Sequence, residues 1–119
     1  MKKCLILLFL ITILTCGCDS SLSSGKITCD NMKMIMQDDN SILLDVRTIE
    51  EYNDGHLEGS INIPYNEIET RIKEISSINK DTKIIVYCKS GNRSSKAFDI
   101  LKKLGYLNIY DLGSINSCL

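Results

Sequence analysis

Apolar residues fall along this chain in two kinds of pattern. Ile42-Leu43-Leu44 and Ile84-Ile85-Val86 are continuous runs bounded by polar turns, which suits strands covered on both faces of a parallel sheet. Strands are predicted over residues 27–29, 41–46, 83–87 and 108–112. Between them the apolar positions recur at helical spacing. Met32, Ile35 and Met36 predict a helix to about Gln37 with Asp30 as its cap, its methionines serving as core filler. Ile68, Ile72 and Ile75 mark a second helix. Ala97, Phe98, Leu101 and Leu104 mark a third, beginning at Ser94 and stopped by Gly105. Thr48-Ile49-Glu50-Glu51 is a capping-box pattern opening a brief helix that Gly55 ends. Pro64 then holds Ile63 in an extended piece. Strands alternating with helices predict an α/β fold, with a mostly parallel central sheet and helices on both faces.

The first residues follow neither pattern. Met1-Lys2-Lys3 precedes an apolar run from Cys4 to Leu14, short of the roughly 20 residues that span a bilayer. A charged start followed by a short apolar run reads as a secretory signal. Its end, Thr15-Cys16-Gly17-Cys18-Asp19, resembles a bacterial lipobox, in which a small residue precedes the cysteine that becomes lipidated. Cys18 behind Gly17 fits best, with Cys16 as the second candidate and an ordinary cleaved signal as the alternative. Residues 1–17 are therefore expected to form a lipoprotein-type signal peptide, 18–26 a flexible serine-rich tether, and 27–119 the folded domain. That places the domain outside the cytoplasmic membrane, lipid-anchored at Cys18, or secreted or periplasmic without the lipid.

Charge narrows the partners. With 14 basic and 15 acidic residues the formal net charge is −1, and it becomes more negative once Lys2 and Lys3 leave. Nothing in that balance suits nucleic acid; a small substrate or a protein partner is expected. A monomer is expected. One histidine and no Cys-x-x-Cys spacing predict no metal site and no cofactor. Glu50, Glu51, Glu67, Glu69 and Glu74 are expected on solvated helix faces.

The chemistry concentrates in Cys88-Lys89-Ser90-Gly91-Asn92-Arg93-Ser94. A buried strand that feeds a tight loop and a helix N-terminus gathers backbone N–H groups around one point. A cysteine there sits in a field that favours the thiolate, which is the nucleophilic form. Cys88 ends its strand on the side where α/β sheets bind ligands.

Asp45-Val46-Arg47, Glu51-Tyr52, the run from Gly55 to Pro64, Cys88 to Ser94, and Tyr110-Asp111-Leu112-Gly113 stand in the order and spacing of a rhodanese (sulfurtransferase) domain. The resemblance covers about Lys26 to Cys118. It implies a small single domain that carries sulfur on Cys88 as a persulfide, taken from thiosulfate or a persulfide and passed to a thiol or cyanide, or to a protein acceptor. Lys89, Ser90, Gly91, Asn92, Arg93 and Ser94 would form the substrate cradle through their amides. Arg93 and Lys89 would add charge for an anionic donor, unless Arg93 braces the loop instead. Four residues separate cysteine from arginine, whereas related phosphatase-like and arsenate-reducing domains have five, so the cradle matches sulfur better than phosphate. Asp45 and Arg47 look like structural support, with an active-site role as the alternative, and His56 like a hydrogen-bonding brace.

Two departures stand out. Gly113-Ser114 replaces a glycine pair, and Cys118 stands where a tryptophan is common; both are expected to lie away from the catalytic loop. Because first and last strands are adjacent in rhodanese-like sheets, Cys29 and Cys118 are expected either to pair as a disulfide or to serve as small apolar residues. Two other functions stay open: a non-enzymatic persulfide carrier, and a thiol redox protein that uses Cys88 with Cys118.

Overall fold

The structure is a computed structural model that describes residues 23–119. The signal segment, Cys16, Cys18 and the first part of the tether lie outside the described residues. Five strands form one sheet: β1 (Gly25–Lys26), β2 (Ser41–Asp45), β3 (Ser60–Asn62), β4 (Lys83–Cys88) and β5 (Asn108–Ser114). Their order is β1-β5-β4-β2-β3, and every neighbouring pair is parallel. Parallel neighbours need crossover connections, and helices provide them. These are α1 (Cys29–Ile35), α2 (Ile49–Asp54), α3 (Ile68–Arg71) and α4 (Asn92–Lys103).

The continuous apolar runs behave as two-faced strands. In β4, Ile84, Val86 and Cys88 face a core shared with Ile68 and Ile72 on one side and with Ala97 and Leu101 of α4. Ile85 and Tyr87 face the opposite core, with Met32 and Ile35 of α1, Leu57, Tyr110 and Leu112. All the β4 residues from Ile84 to Cys88 are fully buried. The sheet is thus covered on both sides, with the strand that ends at Cys88 at its centre.

Several boundaries differ from the sequence expectation. The first strand is Gly25–Lys26, not residues 27–29, because Thr28 and Cys29 are taken by the helix that follows. Thr28 rather than Asp30 caps α1. Its hydroxyl accepts from the Asn31 amide and its own amide donates to Asn31, a capping box in which asparagine does the work usually given to glutamate. The second predicted helix is one irregular segment. A single α-turn, α3, is flanked by 3-10 turns over Tyr65–Glu67 and Ile72–Glu74. α4 starts at Asn92, two residues before Ser94, with Gly91 in the cap position. β5 continues past Leu112 to Ser114, in register with Cys88 at its end. Thr48 and Gly55 bound α2 as the pattern predicts.

Candidate active site

Cys88 is the last residue of β4, and the chain turns immediately into α4. Gly91 adopts φ +101°, a left-handed conformation that a residue with a Cβ reaches only with strain. That turn folds the loop back over the sulfur. The Gly91 amide donates to Cys88 Sγ at 2.9 Å and the Ser94 amide at 3.4 Å. Ser94 is buried, and its hydroxyl donates to the Gly91 carbonyl at 3.1 Å, which ties the first turn of α4 to the loop. Burial pushes the Cys88 thiol up. The Ser94 amide and hydroxyl and the amides of Gly91 and Ser90 outweigh it, so the thiol lies below its ordinary value. The site favours a thiolate without a general base.

Loop residues divide by exposure. Lys89, Ser90 and Asn92 are exposed, Gly91 and Arg93 are half-buried, and Ser94 is closed off. The Arg93 guanidinium does not stand free over the sulfur. Its two terminal nitrogens bond both oxygens of Glu51 at 2.6 and 3.1 Å. Glu51 is therefore not a residue of a solvated face. It closes the α2 capping box by accepting from the Thr48 amide, and it grips the start of α4. The Arg93 hydrogen bond holds its carboxyl far down, at about 2, against the upward push of burial.

Glu51's lowered value makes a pH signature. The ion pair contributes stability that is fully present above the unfolded carboxylate's range and is lost as pH falls through about 2. Glu51→Gln is expected to remove this acid-limb dependence and to cost about 1 kcal/mol near neutrality, read from urea melts at several pH values. Equal acid limbs in the two proteins would show that the pair does not hold the loop.

Asp45 and Arg47 pair with each other, not with the loop. Arg47 Nη2 lies 2.7 Å from Asp45 Oδ2, and the same nitrogen donates to the Gly55 carbonyl at 2.6 Å. The Asp45 side chain is fully buried, which is tolerable because Tyr87 also donates to it, at 2.8 Å. Tyr87 Oη in turn accepts from the Leu57 amide at 3.0 Å and lies 3.1 Å from Ser60 Oγ. Tyr87 is a hub that the sequence reading passed over. Its one signal is a tyrosine inside an apolar strand, where a buried hydroxyl needs partners. His56 stacks on Tyr52 with centroids 3.8 Å apart, and its Nδ1 lies 2.9 Å from the Tyr52 carbonyl. It braces the end of α2.

Two further findings concern the last residues. Ser114 does not lie away from the Cys88 loop: its hydroxyl donates to the Lys89 carbonyl at 2.6 Å. Cys118 is disulfide-bonded to Cys29, with Cα atoms 5.4 Å apart. Among the described residues Cys88 is the free cysteine. A redox pair of Cys88 with Cys118 is therefore not the arrangement in this structure, since the second sulfur is already engaged.

A family model described as the rhodanese-like domain matches residues 28–117, which holds the whole sheet apart from β1 and both arms of the loop. The chain belongs to the rhodanese-like domain family. Among curated members it is similar to thiosulfate sulfurtransferase PspE of Escherichia coli (strain K12), 38% identical over 72 residues, covering 60% of this chain and 68% of that protein. It is also similar to YrkF of Bacillus subtilis (strain 168), named as a sulfur carrier protein, 34% identical over 95 residues. That match covers 79% of this chain and 50% of YrkF, so this chain spans about half of that relative. A solved E. coli rhodanese with anions superposes with a TM-score of 0.60 at 33% identity, covering 65% of this chain and 89% of that one. The rhodanese-like fold accounts for the all-parallel sheet and for the position of the Cys88 loop at the end of its central strand.

Proposed function

We propose that this rhodanese-like domain is a sulfurtransferase that works through a persulfide on Cys88. The observation that carries the reading is the six-residue turn from Cys88 to Arg93, which aims loop amides at one sulfur atom. With thiosulfate, the Cys88 thiolate attacks the outer sulfur, a new S–S bond forms, and the donor's S–S bond breaks with its electron pair leaving on sulfite. The terminal sulfur then passes to a thiol, or to cyanide as thiocyanate, and returns the thiolate. The same amides stabilise the persulfide anion between the two half-reactions, so ping-pong kinetics are expected. Lys89 through Ser94 are the cradle, and Asp45, Arg47 and His56 hold the neighbouring turns.

The test is a mass measurement. The protein incubated with thiosulfate is expected to gain one sulfur on Cys88 and to lose it on adding cyanide. A protein that never gains sulfur from thiosulfate or from a low-molecular-weight persulfide would overturn the proposal.

A second reading, a carrier that receives sulfur from a protein persulfide, is favoured by one contact. Arg93 is neutralised by Glu51, which leaves Lys89 as the loop's uncommitted cation and weakens the case for a small anionic donor. A loaded Cys88 with negligible turnover to cyanide or small thiols would favour the carrier.

Export and anchoring complete the proposal, with Cys18 as the lipidated residue. The apolar run before Gly17-Cys18 supports it. Ser24 bonds the Leu107 carbonyl beside the start of β5, whereas Cys88 lies at the other end of the parallel strands. Cells fed labelled fatty acid are expected to label the wild-type protein and not Cys18→Ser; label retained on Cys18→Ser would move the anchor to Cys16, and an unlabelled wild type would dismiss it.

A further inference from the structure

We propose that Ser114 is a positioning residue for the Cys88 cradle and that the Cys29–Cys118 disulfide holds Ser114 in place, so that reducing that bond loosens the cradle. The Lys89–Ser90 unit is planar and trans, so its carbonyl and its N–H point in opposite directions. The carbonyl end is held outward by the Ser114 hydroxyl at 2.6 Å. The N–H end, on Ser90, is one of the amides that favour the Cys88 thiolate. An exposed loop peptide with no partner for its carbonyl is free to rotate. Ser114 removes that freedom and steadies the turn whose Gly91 amide meets Cys88 Sγ at 2.9 Å.

Ser114 is itself held from two sides. Upstream, β5 pairs with β4 up to Cys88 opposite Ser114. Downstream, the same hydroxyl that donates to Lys89 accepts from the Asn116 amide at 3.1 Å and starts a 3-10 turn over Ile115–Cys118. That turn ends at the disulfide to Cys29, in the first turn of α1. Five residues therefore run from the catalytic loop's hydrogen bond to a covalent tie. From Leu112 to Leu119 no side chain is charged; the nearest charge on β5 is Asp111, which accepts from the Gly113 amide at 2.9 Å and faces Lys26. The charges nearest the loop lie elsewhere: Lys89 within it, Arg93 paired with Glu51, and Arg47 paired with Asp45.

Reduction needs a dithiol as electron donor. Two electrons and two protons pass to Cys29 and Cys118 as the dithiol closes to its own disulfide. The freed segment then holds the Ser114 hydroxyl from the β5 side alone, and the Lys89–Ser90 peptide loosens with it.

The inference goes beyond sulfur transfer and is tested on the Cys88 thiolate itself, so it stands or falls independently of turnover. The full chain is pulsed with iodoacetamide across a pH series, and the Cys88 peptide is followed by mass. Ser114→Ala keeps the disulfide and is expected to slow Cys88 alkylation about tenfold at about pH 6 while the rate at high pH is kept. Ser114→Thr, which retains the hydroxyl, is expected to restore it. Wild-type protein equilibrated with mixtures of reduced and oxidised dithiothreitol, then desalted, should show Cys88 reactivity falling in step with the Cys29–Cys118 bond. A Ser114→Ala profile that overlays the wild type would overturn the positioning role. Cys88 reactivity that stays constant while the disulfide is reduced would overturn the redox coupling.

Discussion

Replacing Cys88 with serine is expected to lower sulfur transfer by about a thousandfold or more and to abolish the sulfur adduct altogether. The reason is chemical. A serine hydroxyl stays protonated where a thiol in this cradle ionises, and oxygen cannot store the sulfur as a persulfide. The surroundings survive the change. Cys88 is fully buried, serine is slightly smaller, and its oxygen can accept from the Gly91 and Ser94 amides that now meet sulfur. Stability is expected to change by about 1 kcal/mol, so lost transfer would not be a folding defect. The measurement pairs intact mass after thiosulfate with thiocyanate release and a thermal melt. Turnover by a folded Cys88→Ser protein would place the sulfur elsewhere and end the central claim.

The second large effect concerns stability. Cys29 and Cys118 are 89 residues apart, so their bond closes nearly the whole domain into one loop. In the chain-entropy account, a crosslink of that span restricts the unfolded chain strongly, and native disulfides in small domains typically contribute about 2–5 kcal/mol. The local structure shows why little else holds those ends. β1 pairs only Gly25 and Lys26 with β5, and the segment after Ser114 is a single 3-10 turn. Replacing both cysteines with serine is expected to lower the melting temperature by about 10–20 °C. Either single serine variant should lose as much, because the partner thiol gains nothing alone. A shift of less than about 3 °C in all three would show that the bond does not staple the native fold.

How much of this was legible before the structure depends on the range of the interaction. The strand cores, the α2 capping box at Thr48 and Glu51, and the loop of Cys88 are set by neighbours within a few residues, and local patterns report them. Boundaries slipped where two local signals competed. Thr28 reads as a strand residue by its β-branch and as a cap by its hydroxyl, and the cap prevailed because Asn31 completes the box. Ser94 looks like a helix start. Gly91's left-handed turn begins the helix earlier and leaves the Ser94 hydroxyl to bond backward to the loop. Glu51 was misplaced on a solvated face because its second partner, Arg93, is 42 residues away. No period or cap announces such a pair.

The layer architecture, the central strand and the cysteine whose loop amides favour a thiolate are all written locally in the chain. Each follows from continuous apolar runs, helical periodicity, turn chemistry and a six-residue spacing, all short-range properties. What Arg93 and Ser114 do emerges only once the chain is folded. One charge is spent on a glutamate from another helix, and one hydroxyl fixes a peptide of the catalytic loop. Both depend on strands distant in the chain lying side by side, because a parallel sheet brings β2, β4 and β5 to one edge regardless of their separation along the sequence.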